Sequence, residues 1–182
     1  MSKAIGVVEY KTVSSGVLAA DLMIKTSNID IIQSTVVCPG KYIIIVTGEL
    51  SSVTASVDAA KVQLGENMVD SFVLGNPSEE IFPAIYGGVN IEGAKALGVM
   101  ETFSVPSMII AADTAAKTSE VTLIELRLAR GMAGKSYMFL TGDVAAVTAA
   151  IEHARDVVGG DGMLLDSAVI PNPDKDLWAS IL

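Results

Sequence analysis

Apolar residues arrive in short runs separated by polar turns, and their spacing alternates between that of strands and that of helices. Residues 4–10, AIGVVEY, form a near-continuous apolar run of the kind that makes a buried strand. Ser14, Ser15 and Gly16 then supply helix-capping residue types. Val17, Ala20 and Ile24 follow at helical spacing, which predicts a helix to about Ser27 with those three on its inner face. Residues 29–37 and 42–47 are β-branched runs and read as two strands. Between them lies Cys38-Pro39-Gly40-Lys41. Proline followed by glycine suits the centre of a type II turn, so the strands form a hairpin with Cys38 at its tip. Leu50, Val53, Val57, Ala60 and Leu64 mark a second amphipathic helix with Gly65 as its C-cap. Residues 68–74 are the last strand, Asn76-Pro77 ends it, and a short helical tail follows. The order is β-α-β-β-α-β, the ferredoxin-like arrangement.

The whole pattern then occurs again. Lys3-Ala4-Ile5-Gly6-Val7-Val8-Glu9 matches Lys95-Ala96-Leu97-Gly98-Val99-Met100-Glu101 at an offset of 92. Ala19-Ala20-Asp21 matches Ala111-Ala112-Asp113, and Lys25-Thr26-Ser27 matches Lys117-Thr118-Ser119. The offset grows to 94 at Gly40-Lys41 and Gly134-Lys135, and to 96 at Asn76-Pro77 and Asn172-Pro173, where Phe82 is answered by Trp178. Each increment is a small insertion at a loop of the second copy, whose second helix carries Val144, Val147, Ile151 and Ala154. Two copies of about 85 residues are duplicated domains rather than a solenoid. The expected division is a first domain over 1–86, a linker over 87–94 and a second domain over 95–182.

Composition narrows the function. Asp and Glu outnumber Lys and Arg by 21 to 12, a formal charge of −9. That argues against nucleic acid and against an anionic membrane surface, both of which need clustered basic residues. Half the residues are hydrophobic but only 5% are aromatic, and no apolar run approaches a membrane span. So much aliphatic surface implies large subunit contacts beside the core. The N-terminal residues do not resemble a secretory signal, and a cytosolic protein is expected. There is one cysteine, Cys38, and one histidine, His153, so one chain alone cannot close a disulfide or assemble a cysteine–histidine zinc site. No nucleotide-binding glycine motif or nucleophile–base signature is present, and an enzyme is not expected.

A-x-G-x-x-E on the first strand, D-x-x-x-K on the first helix, and a Gly-Lys hairpin followed by an apolar strand and T-G-[DE] resemble the shell domains of bacterial microcompartments. Two unpermuted copies, with Cys-Pro-Gly-Lys in the first hairpin, are similar to the tandem shell proteins of propanediol-utilisation microcompartments. The resemblance spans essentially the whole chain. It implies an α/β (α+β) protein of two tandem ferredoxin-like shell domains, three chains of which form a pseudohexameric disc in a microcompartment shell within the cytoplasm. It implies a central pore lined by the hairpin tips, here Cys38, Pro39 and Gly40 with Gly131, Met132, Ala133 and Gly134. It implies that one [4Fe–4S] cluster per trimer is held by Cys38 of each chain, for electron transfer or cluster exchange with a redox partner enzyme. Lys25 and Lys117 are then disc-edge contacts to other shell proteins.

The residues also have plainer readings. A single cysteine is often a buried small hydrophobe, although a Pro-Gly tip favours exposure. The glycines near 131–134 fit ordinary hairpin geometry, and Arg130 aligns with Cys38. Lys25 and Lys117 each follow an Asp by four residues and fit surface helix pairs. Glu9 and Glu101 are expected to make structural hydrogen bonds, and His153 to lie on the surface. A shell pore that passes metabolites without a cluster and a ligand-binding ferredoxin-like regulator are the alternative functions.

Overall fold

The computed structural model describes residues 4–87, 93, 95–160 and 162–181. Of the expected linker over 87–94, only Gly87 and Gly93 lie among them. The chain divides into two compact units. The first comprises residues 4–77 with 104–106 and 129–135, and the second holds the remaining described residues from Ser78 onward.

The first unit contains β1 (Ala4–Tyr10), α1 (Val13–Thr26), β2 (Asp30–Val37), β3 (Lys41–Gly48), α2 (Leu50–Leu64) and β4 (Met68–Leu74). Its antiparallel sheet has the order β2-β3-β1-β4, with both helices against it. The core gathers Ala4, Val8 and Tyr10 of β1, Ile44 and Val46 of β3, Met23 of α1, and Val53 and Val57 of α2. Gly6 lets α2 come close: a Cβ there would meet Val53 Cγ1 at 2.7 Å and Val57 Cγ2 at 2.9 Å. β1 is buried on both faces, which is why it reads as a continuous apolar run rather than an alternating one.

Two local expectations are corrected and a third holds. The N-cap of α1 is Thr12, which accepts from the Ser15 N–H. The inner face of α1 is made of Gly16, Ala19, Ala20 and Met23, whereas Val17 and Ile24 are half exposed. Small residues bring the helix close to the sheet (a Cβ at Gly16 would meet the Tyr42 ring at 2.4 Å), so the bulky aliphatics turn outward. Gly65 is the C-cap of α2 as expected. It has φ −62° and opens a single 3₁₀ turn over Gly65–Asn67.

The second unit repeats the plan. β5 (Ala96–Thr102), β6 (Val121–Leu128), β7 (Ser136–Gly142) and β8 (Leu164–Ile170) form a sheet of order β6-β7-β5-β8. α4 (Val105–Thr118) and α5 (Val144–Gly159) are its long helices. Val147, Ile151 and Ala154 of α5 are buried as expected, but Val144 at its first turn is exposed. Gly98 occupies the place of Gly6, with Leu140, Val147 and Ile151 around its missing Cβ.

The tail helix α3 (Ile81–Tyr86) that follows the first repeat belongs to the second unit, where it packs on β6. Its own counterpart, α6 (Lys175–Ile181), has no buried residue.

Candidate functional site

The turn between β2 and β3 closes one residue earlier than expected. The Gly40 N–H donates to Val37 O at 2.9 Å, so Cys38 and Pro39 are the central pair, joined by a cis peptide bond. This is the type VI geometry rather than type II. Gly40 follows with φ +106°.

Cys38 is a half-buried free thiol and no part of the core. It lies on a surface cleft of about 380 Å³ whose walls are residues 36–40 with Arg130 and Gly131. The Arg130 and Gly131 wall belongs to the turn over 129–135, which is part of the same compact unit. The cleft thus unites Cys38, Pro39, Gly40 and Gly131 of the expected pore residues. Met132 and Ala133 do not line it.

Several contacts fix the two turns to each other. The Cys38 N–H donates to Ala129 O at 3.2 Å. Gly134 lies directly behind, where a Cβ would meet Cys38 O at 2.9 Å and Lys41 Cε at 2.8 Å, and its φ is +87°. Both room and backbone conformation require glycine at that position. Lys41 Nζ donates to Gly134 O at 3.3 Å and forms an ion pair with Oε1 of Glu9. The other carboxylate oxygen, Oε2, accepts the Val105 N–H at 3.3 Å.

Glu9 is fully buried. Burial pushes its carboxyl above the ordinary value of 4.5, while the Lys41 ammonium and the Val105 N–H act against that rise. The expected structural role of Glu9 is therefore an ionic prop beneath the cysteine turn. Its counterpart Glu101 is only half-buried.

The prop was missed in the sequence although a signal was there. Glu9 is the one charge in an apolar strand. It stands opposite Ile43, and Lys41 lies two residues from Ile43 on the same face of β3.

Lys25 and Lys117 form the i,i+4 pairs foreseen, with Asp21 at 2.6 Å and Asp113 at 2.7 Å. His153 is exposed and its Nδ1 lies 3.0 Å from Thr118 Oγ1. Among the described residues no group of three or more His, Cys, Asp or Glu side chains could hold a metal ion. No helix among them is long and apolar enough to cross a membrane. A metal group at Cys38 would therefore take its other protein thiolates from other chains.

The BMC-domain family model matches the chain twice, over residues 4–77 and 96–173. The bacterial microcompartment shell protein PduT of Citrobacter freundii is 36% identical over 182 residues, 100% of this chain and 99% of that one. The chain belongs to the BMC-domain family of bacterial microcompartment shell proteins.

Two further proteins extend the likeness. A microcompartment protein of Desulfitobacterium hafniense DCB is 40% identical in a solved structure, with a TM-score of 0.89 over 98% of this chain and 99% of that chain. The carboxysome assembly protein CcmO of Synechococcus elongatus is 26% identical over 98% of this chain and 68% of its own length. This chain is thus a structural shell protein with two BMC domains in tandem, as its sequence led one to expect.

Proposed function

We propose that three copies of this shell protein form a pseudohexameric tile whose central pore is ringed by the turns at Cys38 and 131–134. The three Cys38 thiolates hold one [4Fe–4S] cluster there. The observation that carries this reading is the placement of the thiol. It is half-buried, at a turn, on an open cleft, and single in the chain. A core cysteine would be neither half-exposed at a turn nor on an open cleft.

One donor and a bare wall beside it fit the group. Cys38 offers a thiolate, and glycines 40 and 131 leave the cleft wall without side chains where a bulky inorganic group would approach. Three cysteines are one fewer than the usual four, so one iron would keep a water or an outside ligand. When bound, the cluster supplies a one-electron store. The chain's own residues position the thiolate: the Ala129 carbonyl fixes the Cys38 N–H, and the pairing of Lys41 with Glu9 anchors the start of β3. Electron exchange then needs a separate one-electron carrier on one side of the shell. Lys25 and Lys117, on the outer faces of α1 and α4, contact neighbouring shell proteins at the tile edge.

Anaerobically purified or reconstituted protein should be brown, with iron near four atoms per three chains, and have the native mass of a trimer. Cys38→Ser should lose the colour and keep the mass. Colour that survives this change excludes Cys38 as the ligand. A colourless trimer with three titratable thiols leaves a pore for metabolites in place of the redox reading.

A further inference from the structure

The hairpin turns of the two repeats share one cleft, and they bring different chemistry to it. Arg130 stands where Cys38 stands in the first repeat, at an offset of 92. The fold sets both on the wall of the same surface cleft of about 380 Å³. A space of that size lies at the small end of the range that holds organic ligands.

Charge around the cleft runs against the charge of the chain. The formal charge is −9, yet residues 31–48 and 126–142, which span the two turns and most of their strands, contain no Asp or Glu. Of the cations in these segments, Lys41 is paired with Glu9 and Arg127 with Glu125. Arg130 is exposed and makes no ion pair or side-chain hydrogen bond among the described residues. A planar guanidinium presents a fork of N–H donors that matches the two oxygens of a carboxylate. With no carboxylate of its own in either turn, the chain offers no competitor to one from solution.

The rest of the wall is apolar. Val36 is 52% exposed, and Pro39 is exposed as well. Gly40 and Gly131 add no side chain to the wall. An inorganic oxyanion would satisfy the guanidinium and leave the aliphatic surface wet. A molecule with a carboxylate at one end and a short alkyl chain at the other satisfies both, because each methylene removed from water favours binding.

We infer that this cleft binds a short-chain carboxylate, with Arg130 holding the carboxylate and Val36 and Pro39 covering the alkyl part beside the Cys38 thiol. The site lies within one compact unit of one chain, so it needs neither the cluster nor the threefold assembly. An occupant lies against the thiol and limits access to it, which makes Cys38 a reporter of binding.

The test uses full-length protein without a cluster, and butyrate as the probe. Cys38 is the sole cysteine, so its alkylation by neutral iodoacetamide is read without background from other thiols. Butyrate at millimolar concentration should slow that reaction and saturate. Butyramide, with the same alkyl chain and no charge, should not, and neither should inorganic phosphate at equal ionic strength. Arg130→Gln should lose the protection. Arg130→Lys should keep part of it, since the charge remains but the fork does not. Arg130 has no partner in the fold, so both variants should melt with the parent. At low salt, the rate of anionic iodoacetate relative to iodoacetamide should fall about fivefold in Arg130→Gln, as for a charge removed from a few ångströms away. Broadening of the carbonyl NMR signal of isotopically labelled butyrate measures binding without the thiol, and it decides the case if alkylation is too slow to follow.

Equal protection by phosphate would make the cleft a general anion patch and overturn the carboxylate assignment. Equal protection by butyramide, or protection that survives Arg130→Gln, would remove Arg130 from the site. Neither protection nor broadening by butyrate would overturn the inference outright. The colour of anaerobic protein is independent of all three: a colourless protein that binds butyrate through Arg130 keeps this inference and loses the cluster.

Discussion

Glu9 illustrates how much a single position can say. A carboxylate inside an apolar strand is costly unless a charge and a hydrogen bond meet it, and here Lys41 and the Val105 N–H do so. Burial still wins, because the carboxyl remains raised above 4.5. The folded chain therefore holds this proton more tightly than the unfolded chain. Stability from protonated Glu9 is full below about pH 4.5 and is lost as pH rises through the folded value. The melting temperature should thus fall with rising pH over that window, and the fall should disappear in Glu9→Gln, which does not titrate. Gln also changes the hydrogen bonds made to Lys41 and the Val105 N–H at every pH, so an offset is expected and the slope is the diagnostic. Melts from pH 5 to 8 on both proteins decide the matter; an unchanged slope would show that Glu9 is ionised in the fold throughout. The charge at position 9 was legible in the sequence, but its partner at 41 and the turn at 129–135 were not. The Gly134 contact joins residues 93 apart in the chain, and no local periodicity encodes such a separation.

At the scale of elements the sequence was most readable where burial is complete on both sides or alternates cleanly. The strand over 4–10, buried at every position, was placed with the bounds it has, and the sheet order is the same in both repeats. α1 was misread because spacing identifies an apolar stripe without saying what covers it. The stripe of Val17 and Ile24 faces outward, and the helix is held to the sheet by small residues. The shared glycine of the first strand in each repeat belongs to the same logic. A Cβ on Gly98 would meet Leu140 Cδ1 at 2.6 Å and Val147 and Ile151 at 3.0 Å, so α5 could not keep its distance from β5. Gly98→Ala should cost about 1–3 kcal/mol as overpacking, which for a chain of this size lowers Tm by roughly 3–9 °C. Calorimetry checks it. An unchanged Tm would mean that the flexible Leu140 side chain absorbs the extra methyl group without moving the helix.

For the whole molecule, the duplication and the family were readable because the same motifs occur twice, whereas the burial difference between the repeats was not, since the two sequences are alike where their surroundings differ. That same likeness makes the tile-edge role of Lys25 and Lys117 testable. Both form i,i+4 pairs with an Asp, with side chains 72% and 44% exposed. Such pairs contribute only about 0.2–0.5 kcal/mol to a helix, so Lys25→Ala with Lys117→Ala should leave the melting temperature and native mass nearly unchanged. If these lysines join tiles, the overexpressed parent should form sheets or tubes and the double variant should not. Removing two positive charges also takes the formal charge from −9 to −11, which by itself increases repulsion between tiles. Lys11→Ala with Lys61→Ala produces the same change of charge at other exposed positions and isolates that effect. Electron microscopy of the three proteins at two salt concentrations separates the causes. Sheets lost in both doubles and restored by salt point to net charge, because screening acts on any exposed charge. Sheets lost only from the Lys25/Lys117 pair point to a specific edge contact, and sheets that persist in that variant remove both lysines from the edge.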